Sequence, residues 1–128
     1  MVITVTSHKG GVGKSTTSVH LAAYLQRIAP TVLVDSDPNR SVGGGALKGA
    51  PPFEVIPLPQ AARRSREFDH VVIDTNAGLR TDELREIVAG CDLLIIPTTP
   101  DALSYQALLL TVEALGEIPG ANYKALLT

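Results

Sequence analysis

The sequence is poor in cysteine and in aromatic residues. Its 128 residues include one Cys, no Trp, two Phe and three Tyr. One cysteine excludes an internal disulfide, a four-thiolate zinc site and an iron–sulfur cluster held by this chain alone. So few aromatic side chains also leave little material for a surface that stacks on single-stranded nucleic acid.

The sequence also lacks an excess of positive charge and any long apolar run. Eleven Lys and Arg against thirteen Asp and Glu give a formal charge of −2, so a DNA contact would have to come from a local patch. No apolar run approaches the roughly 18 residues of a membrane span, and the N-terminal residues do not resemble an export signal. We therefore expect a cytoplasmic protein without a membrane partner, formed by a single domain over residues 1–128.

Four apolar runs, rich in β-branched residues, each stop at a turn or at an acidic residue. Runs without polar alternation are typical of strands buried on both faces, and helical spacing between them predicts crossovers in a parallel sheet. The fold class is therefore predicted to be α/β, a doubly wound and mostly parallel sheet, with ligands at the carboxyl ends of the strands. The runs and the residues that end them are Val2–Thr6 before a glycine-rich loop, Thr31–Val34 before Asp35, Val71–Ile73 before Asp74, and Leu93–Ile96 before Pro97.

Helices are predicted between these strands, at residues 15–28, 82–89 and 102–115. Residues 43–59 are rich in Gly, Pro and small side chains, which favours a connector, with a possible short strand at 53–56. Residues 123–128 look like the start of a further strand. Because a parallel sheet needs helices on both faces, we expect a domain that lacks C-terminal elements.

A glycine-rich loop occupies the first turn from strand to helix. It reads Lys9-Gly10-Gly11-Val12-Gly13-Lys14-Ser15. At this position backbone amides and the helix dipole can hold phosphates, Lys14 can reach the β- and γ-phosphates, and the Ser15 hydroxyl can bind Mg²⁺. Thr16 is a candidate donor to the α-phosphate. A tight turn with a chance lysine is the alternative reading.

The strict phosphate-loop pattern fails at His8, which stands where its first glycine would be. The loop instead resembles the deviant Walker A loop of the ParA/MinD family of ATPases, closest to the compact plasmid and chromosome partition branch. The turn Asp35-Ser36-Asp37-Pro38 and the strand that ends in Asp74 follow in the family's order. The resemblance implies the P-loop fold, with ATP and Mg²⁺ as cofactors.

The resemblance also implies roles for the residues around the loop. Lys9 would reach across a dimer to the partner's nucleotide, Asp37 would orient the attacking water, and Gly10 to Thr16 would hold the phosphates. Asp74 resembles the Walker B acid that binds Mg²⁺ together with Ser15. Asp35 would lie near the metal or have a structural role. The simpler alternatives are a solvated lysine at position 9, a turn or helix cap at Asp37, and a solvated strand end at Asp74.

The function that follows from the resemblance is a slowly hydrolysing Mg-ATPase that acts as a nucleotide-dependent dimer switch in DNA partition. It implies an ATP-dependent homodimer, binding of non-specific DNA at the nucleoid, and a ParB-like adaptor protein. Arg63, Arg64 and Arg66 form the single basic cluster, for which a solvated helix face is the alternative to a DNA contact. Other functions left open are a MinD-like positioning ATPase, an ATP-dependent ligase of the dethiobiotin-synthetase type, and a nucleotide-gated regulator without turnover.

Overall fold

The computed structural model describes residues 1–7, 11–36, 51–75 and 80–128, which form an α/β sandwich. These residues form six strands and four α-helices, and a short 3₁₀ turn, Ser65–Glu67, follows the second helix. The elements in chain order are β1 (Val2–Val5), α1 (Lys14–Gln26), β2 (Thr31–Asp35), β3 (Glu54–Pro57), α2 (Leu58–Arg64), β4 (His70–Asp74), α3 (Thr81–Gly90), β5 (Leu93–Thr98), α4 (Ala102–Gly116) and β6 (Tyr123–Leu127).

The six strands form one sheet in the order β3-β2-β4-β1-β5-β6, and every pairing is parallel. The predicted doubly wound α/β class is thereby confirmed. The first strand lies inside the sheet between β4 and β5, and its pairs include Val5 with Asp74 and Val5 with Ile95. The carboxyl ends of β1, β2 and β4 therefore meet at one edge.

Helices cover both faces of the sheet. On one face α1 packs on alternate residues of the central strands, among them Ile3, Val5, Leu33 and Val72. On the other face α2 packs over β2 and β4, whereas α3 and α4 pack over Leu94 and Ile96 of β5. Strands buried from both sides explain why their sequences read as continuous apolar runs.

The short strand expected near residues 53–56 is confirmed as β3, which pairs with β2 from Glu54 to Pro57, and α2 follows it directly within the predicted connector. The end of the fourth apolar run needs correction, because β5 continues through Pro97 to Thr98. The register of β5 with β1 ends at Ile95, whereas its pairing with β6 runs from Leu94 to Thr98 and places Pro97 opposite Leu126. A missing amide is tolerated at Pro97 because one of the two ladders has already ended.

Helix bounds differ from the prediction by at most two residues at each end. The first helix begins at Lys14 and ends at Gln26, and α3 and α4 each extend slightly beyond the predicted ranges. Among the described residues, no helix combines the length and the apolar character needed to cross a membrane.

Candidate functional site

The turn between β1 and α1 depends on two glycines with positive φ. Gly11 has φ of +75° and Gly13 has φ of +89°, in the left-handed region that side chains with a Cβ rarely adopt. Among the residues that the structure describes, an added Cβ would meet nothing within 4 Å at Gly11 and only Thr128 at 3.9 Å or more at Gly13. Backbone conformation, and not lack of room, therefore explains the glycines at these two positions.

The same turn leaves the start of α1 without a capping side chain. Gly13 is the N-cap residue and makes no side-chain hydrogen bond to the helix, and the first turn holds no acidic residue. The first backbone bond of the helix runs from the Thr17 amide to the Gly13 carbonyl at 2.8 Å. A helix start of this kind, with its positive dipole end and its early amides, favours an anion.

The turn is tied to the far side of the sheet through Val12 and Thr128. The Val12 side chain is buried, and its carbonyl lies 3.2 Å from the Thr128 hydroxyl. The same hydroxyl lies 3.1 Å from the Thr98 carbonyl at the end of β5. Thr128, directly after β6, thus links the glycine turn to the carboxyl end of β5.

Asp74 stands at the carboxyl end of β4, beneath the first two turns of α1. It is 1% exposed, yet both of its carboxylate oxygens are hydrogen-bonded. The Ser15 hydroxyl donates to Oδ2 at 2.9 Å, and the Ser18 hydroxyl lies 3.2 Å from Oδ1. A buried carboxylate is costly unless it is paired in this way, so its position is specified by the surrounding structure.

The electrostatics of Asp74 reflect its burial. Desolvation raises the pKa of Asp74 above its ordinary value, and the negative charge of Asp35 acts in the same direction. The hydrogen bonds from Ser15 and Ser18 and the positive charge of Lys14 act against that rise. A buried acid with a raised pKa beside a lysine is typical of functional sites, and a bound cation would favour its ionised form.

Asp35 lies next to Asp74 across the sheet. The two residues are in register between β2 and β4, and the Ser36 amide donates to the Asp74 carbonyl at 2.9 Å. Asp35 is half-buried, at the same edge as the glycine turn. The fold therefore brings both predicted metal-site aspartates to the start of α1.

The oxygen ligands at this site suit Mg²⁺ better than a metal ion that is coordinated entirely by the protein. The described residues contain no group of three His, Cys, Asp or Glu side chains that could hold an ion. Mg²⁺ characteristically takes one or two protein oxygens and completes its shell with phosphate oxygens and water. The Ser15 hydroxyl and the Asp74 carboxylate provide such a partial oxygen set beside the anion-binding helix start.

The structure brings together most of the residues singled out in the sequence. Gly11, Val12, Gly13, Lys14 and Ser15 form the turn and the start of α1, and the exposed Thr16 follows them. The predicted roles of Lys9, Gly10 and Asp37 concern residues outside the described ranges and stay predictions.

Two residues of the site were missed in the sequence. Ser18 lies three residues after Ser15, a spacing that places both side chains on one face of a helix, so the pattern alone could have indicated it. Thr128 carried no comparable signal, because its contact with Val12 joins residues 116 positions apart.

The basic cluster is divided by the fold. Arg64 forms ion pairs with Glu54 and with Glu67, the latter at 3.1 Å. The hydrogen bonds and charges of these two glutamates raise the pKa of Arg64. Arg63 and Arg66 are exposed, and neither forms a salt bridge within the described part of the chain.

The single cysteine and the two described histidines play no visible part in the site. Cys91 packs against the core under α3 and α4, and burial raises the pKa of its thiol, which argues against a nucleophile. His20 lies on α1 with Nδ1 2.9 Å from the Thr16 carbonyl, and His70 begins β4 at the opposite end from Asp74.

Comparison with known protein families gives a match over residues 3–119 to the model described as "CobQ/CobB/MinD/ParA nucleotide binding domain". The chain belongs to this family. Its relatives include a chromosome-partitioning ATPase and a protein named for maintenance of carboxysome distribution, and the family is defined by a nucleotide-binding domain. The resemblance inferred from the glycine loop is therefore confirmed.

Particular family members extend the comparison. The chain is 35% identical over 134 residues to the maintenance of carboxysome distribution protein A of Gloeobacter kilaueensis, covering 99% of this chain and 62% of the relative. It is 50% identical over 44 residues to the chromosome-partitioning ATPase Soj of Thermus thermophilus, covering 34% of this chain and 18% of that protein. The chain thus spans less than two thirds of the length of these curated relatives.

A solved structure shows the same fold. A plasmid partition protein of Borrelia burgdorferi bound to AMPPNP superimposes with a TM-score of 0.71 at 22% identity, covering 97% of this chain and 72% of that one. At this level of identity the likeness concerns the fold alone.

Proposed function

We propose that this chain is the nucleotide-binding part of a ParA-like ATPase, which binds Mg-ATP, hydrolyses it slowly and acts as a dimer switch in partition. The observation that carries the proposal is the hydrogen bond between Ser15 and the buried Asp74, directly beneath an uncapped helix start. Family membership supports the nucleotide, and the oxygen donors support magnesium.

Each residue of the turn has a distinct part in holding the nucleotide. Backbone amides of the Gly10–Gly13 loop and of the start of α1 would surround the phosphates, because left-handed glycines let the backbone curve around an anion. Lys14 would neutralise the β- and γ-phosphates and Thr16 would donate to the α-phosphate. Mg²⁺ at Ser15 and Asp74 would offset phosphate charge during transfer.

Hydrolysis and switching are assigned to two residues whose roles come from the family resemblance. Asp37 would orient the attacking water, and Lys9 would contact the nucleotide of the partner subunit. Orientation of a water by an acid contributes through positioning more than through basicity, which fits slow turnover. A dimer that contains two nucleotides would then form with ATP and separate after hydrolysis.

Solution mass by light scattering tests the switch. Asp37→Ala should slow hydrolysis and retain ATP, so we expect a dimer in Mg-ATP and a monomer in Mg-ADP. Asp69→Ala, which removes an exposed aspartate before β4, is the matched control and should behave like the wild type. A monomer in both nucleotides, with ATP bound, would contradict the switch and favour the ligase reading.

Binding to non-specific DNA belongs to the same proposal, with Arg63 and Arg66 as the candidate contacts because Arg64 is engaged by two glutamates. Replacing both by Ala should lower the salt slope of DNA binding by about 2, since each phosphate contact contributes about 0.9. Arg85→Ala on α3 is the control, an exposed arginine on another helix. An unchanged slope would assign DNA binding to another surface.

Two candidates exist for the cargo that the proposed ATPase would move, a protein body and a DNA–adaptor complex. The relative named for carboxysome distribution favours positioning of a protein body, whereas the relative named for chromosome partitioning favours a DNA–adaptor complex of the ParB kind. We propose the latter as the partner. Pull-down with a tagged Asp37→Ala variant in Mg-ATP, followed by identification of bound DNA and protein, separates the two, and a captured shell protein without DNA would overturn the DNA reading.

A further inference from the structure

Ser18 is the most deeply buried polar side chain of the site. It is 0% exposed and lies one helical turn beyond Lys14 and Ser15 on α1. Nothing about phosphate binding requires a hydroxyl here, because Ser18 is past the first turn, where the helix amides already bond within the helix. Its burial therefore needs another explanation.

The hydroxyl of Ser18 faces two acceptors. Its Oγ lies 2.9 Å from the Lys14 carbonyl, four residues earlier on the helix, and 3.2 Å from Asp74 Oδ1. A serine hydroxyl has a single proton and can rotate between them. When Asp74 is ionised, donation to Oδ1 satisfies a buried charge, whereas the Lys14 carbonyl is a neutral acceptor.

Ser15 and Ser18 consequently hold the two oxygens of one carboxylate. Ser15 donates to Oδ2 and Ser18 to Oδ1, so the carboxylate is fixed from two points spaced by one helical turn. The Ser15 oxygen keeps lone pairs for a metal while its hydroxyl proton is donated to Asp74 Oδ2. Without Ser18, Oδ1 would be left buried and lack this donor, and the carboxylate could turn.

From this geometry we propose that Ser18 is a positioning residue for magnesium, which holds Asp74 in the orientation that supports the ion at Ser15. The inference rests on the proposed function, because it assumes that Mg²⁺ binds with ATP at this corner. Groups that orient metal ligands through hydrogen bonds affect metal affinity by about 10- to 100-fold when they are removed. Ser18 has the contacts of such a group and does not touch the ion itself.

The test is a magnesium titration of nucleotide binding by Ser18→Ala. Binding of a fluorescent ATP analogue carrying a methylanthraniloyl group is followed as Mg²⁺ is added, and again in EDTA. We expect the Mg²⁺ concentration at half-saturation to rise about 10-fold or more, while affinity in EDTA stays within about 2-fold of the wild type.

Ser65→Ala is the matched control. Its hydroxyl also donates to a carbonyl four residues earlier, that of Ala61, far from the site. It should leave both titrations unchanged. Ser18→Cys, with a side chain of similar size and a much weaker donor, repeats the test with less change in packing if alanine lowers the melting temperature. It should shift the magnesium curve in the same direction.

The outcomes separate this inference from the proposed function. An unchanged magnesium curve for Ser18→Ala, in a protein whose wild type responds to Mg²⁺, would overturn the role of Ser18 alone. Equal losses of affinity with Mg²⁺ and in EDTA would show a merely structural role and also overturn it. A wild type that binds the analogue equally well with and without Mg²⁺ would overturn the magnesium site itself.

Discussion

Two regions of the sheet use burial in opposite ways. At the α1–β4 corner, formed by Gly13, Lys14, Ser15, Ser18 and Asp74, the Ser18 and Asp74 side chains are at most 1% exposed and bond to each other. Along the β6 margin, formed by β6 and the outer face of α4, large apolar side chains face outward, and Leu127 is 69% exposed. Under the proposed function, the buried polar groups mark the nucleotide site, and the exposed apolar ones do not.

The two regions also differ in how their side chains are paired. The corner pairs its buried carboxylate with Ser15 and Ser18, so Asp74 is held in place before a ligand arrives, and preorganised charges bind and stabilise charge most effectively. The β6 margin presents exposed leucines. Within the described residues, Thr128, directly after β6, links the end of this margin to the glycine turn through its contact with Val12.

The largest expected effect comes from the lysine of the corner. Lys14→Ala should weaken ATP binding by about 100-fold or more, because it removes the one described cation at the phosphate position. Lys124→Ala on β6 removes an exposed lysine of the margin and should leave affinity within about 2-fold. Equilibrium binding of ATP measures the affinity of both variants. Equal losses of affinity in the two would contradict the proposed difference between the corner and the margin.

A smaller effect is expected where the margin touches the corner. Thr128→Val keeps the shape of the side chain and removes the hydroxyl that contacts the Val12 carbonyl, so ATP affinity should fall about 3-fold, the value of one neutral hydrogen bond. Thr128→Ser should retain wild-type affinity.

Leu127→Lys is a control for the Thr128 contact, because it replaces an exposed apolar side chain of the margin with a charged one and leaves the Thr128 hydroxyl in place. We expect it to bind ATP like the wild type in the same assay. If it weakened binding more than Thr128→Val does, the margin would contribute to the site through more than this single contact.

The smallest effect concerns stability without ligand. Burial raises the folded-state pKa of Asp74 above its unfolded value, so ionisation costs the metal-free fold stability as pH rises from about 4 through the folded pKa. Asp74→Asn removes this cost. In EDTA, its melting temperature relative to the wild type should therefore increase with pH and then level off.

Thermal melts between pH 4 and pH 8 measure this dependence. Asp69→Asn controls for the loss of one negative charge on the surface, and a constant difference between Asp74→Asn and the wild type would contradict the account. The same variant should also lose most of the effect of Mg²⁺ on ATP binding, which links its gain in metal-free stability to the corner.

The fold class and the meeting of the glycine turn with Asp35 and Asp74 could be predicted from the sequence because both follow from a parallel sheet. Continuous apolar runs predict a parallel sheet, and a parallel sheet places its strand ends together, so the glycine turn, Asp35 and Asp74 had to meet. The strand β3 was less evident because it is short and its first and last residues, Glu54 and Pro57, are exposed. It is defined by its pairing with β2 more than by its composition.

Contacts between distant residues could not be predicted in the same way. Arg64 looks like its neighbours in the sequence, and only the packing of α2 back along β3 brings Glu54 within reach of it. The link from Thr128 to Val12 likewise depends on β6 pairing with β5. Such contacts follow from element packing and sheet order, which a single sequence leaves open.

The central claim, that ATP binds with Mg²⁺ at the α1–β4 corner, is tested most directly by calorimetric titration of ATP into the wild type and Ser15→Ala, in excess Mg²⁺ and in EDTA. The account predicts that Mg²⁺ strengthens ATP binding by the wild type by about 10-fold or more and that Ser15→Ala loses most of this gain. Equal affinity of the wild type in both conditions, or a full magnesium gain in Ser15→Ala, would contradict it.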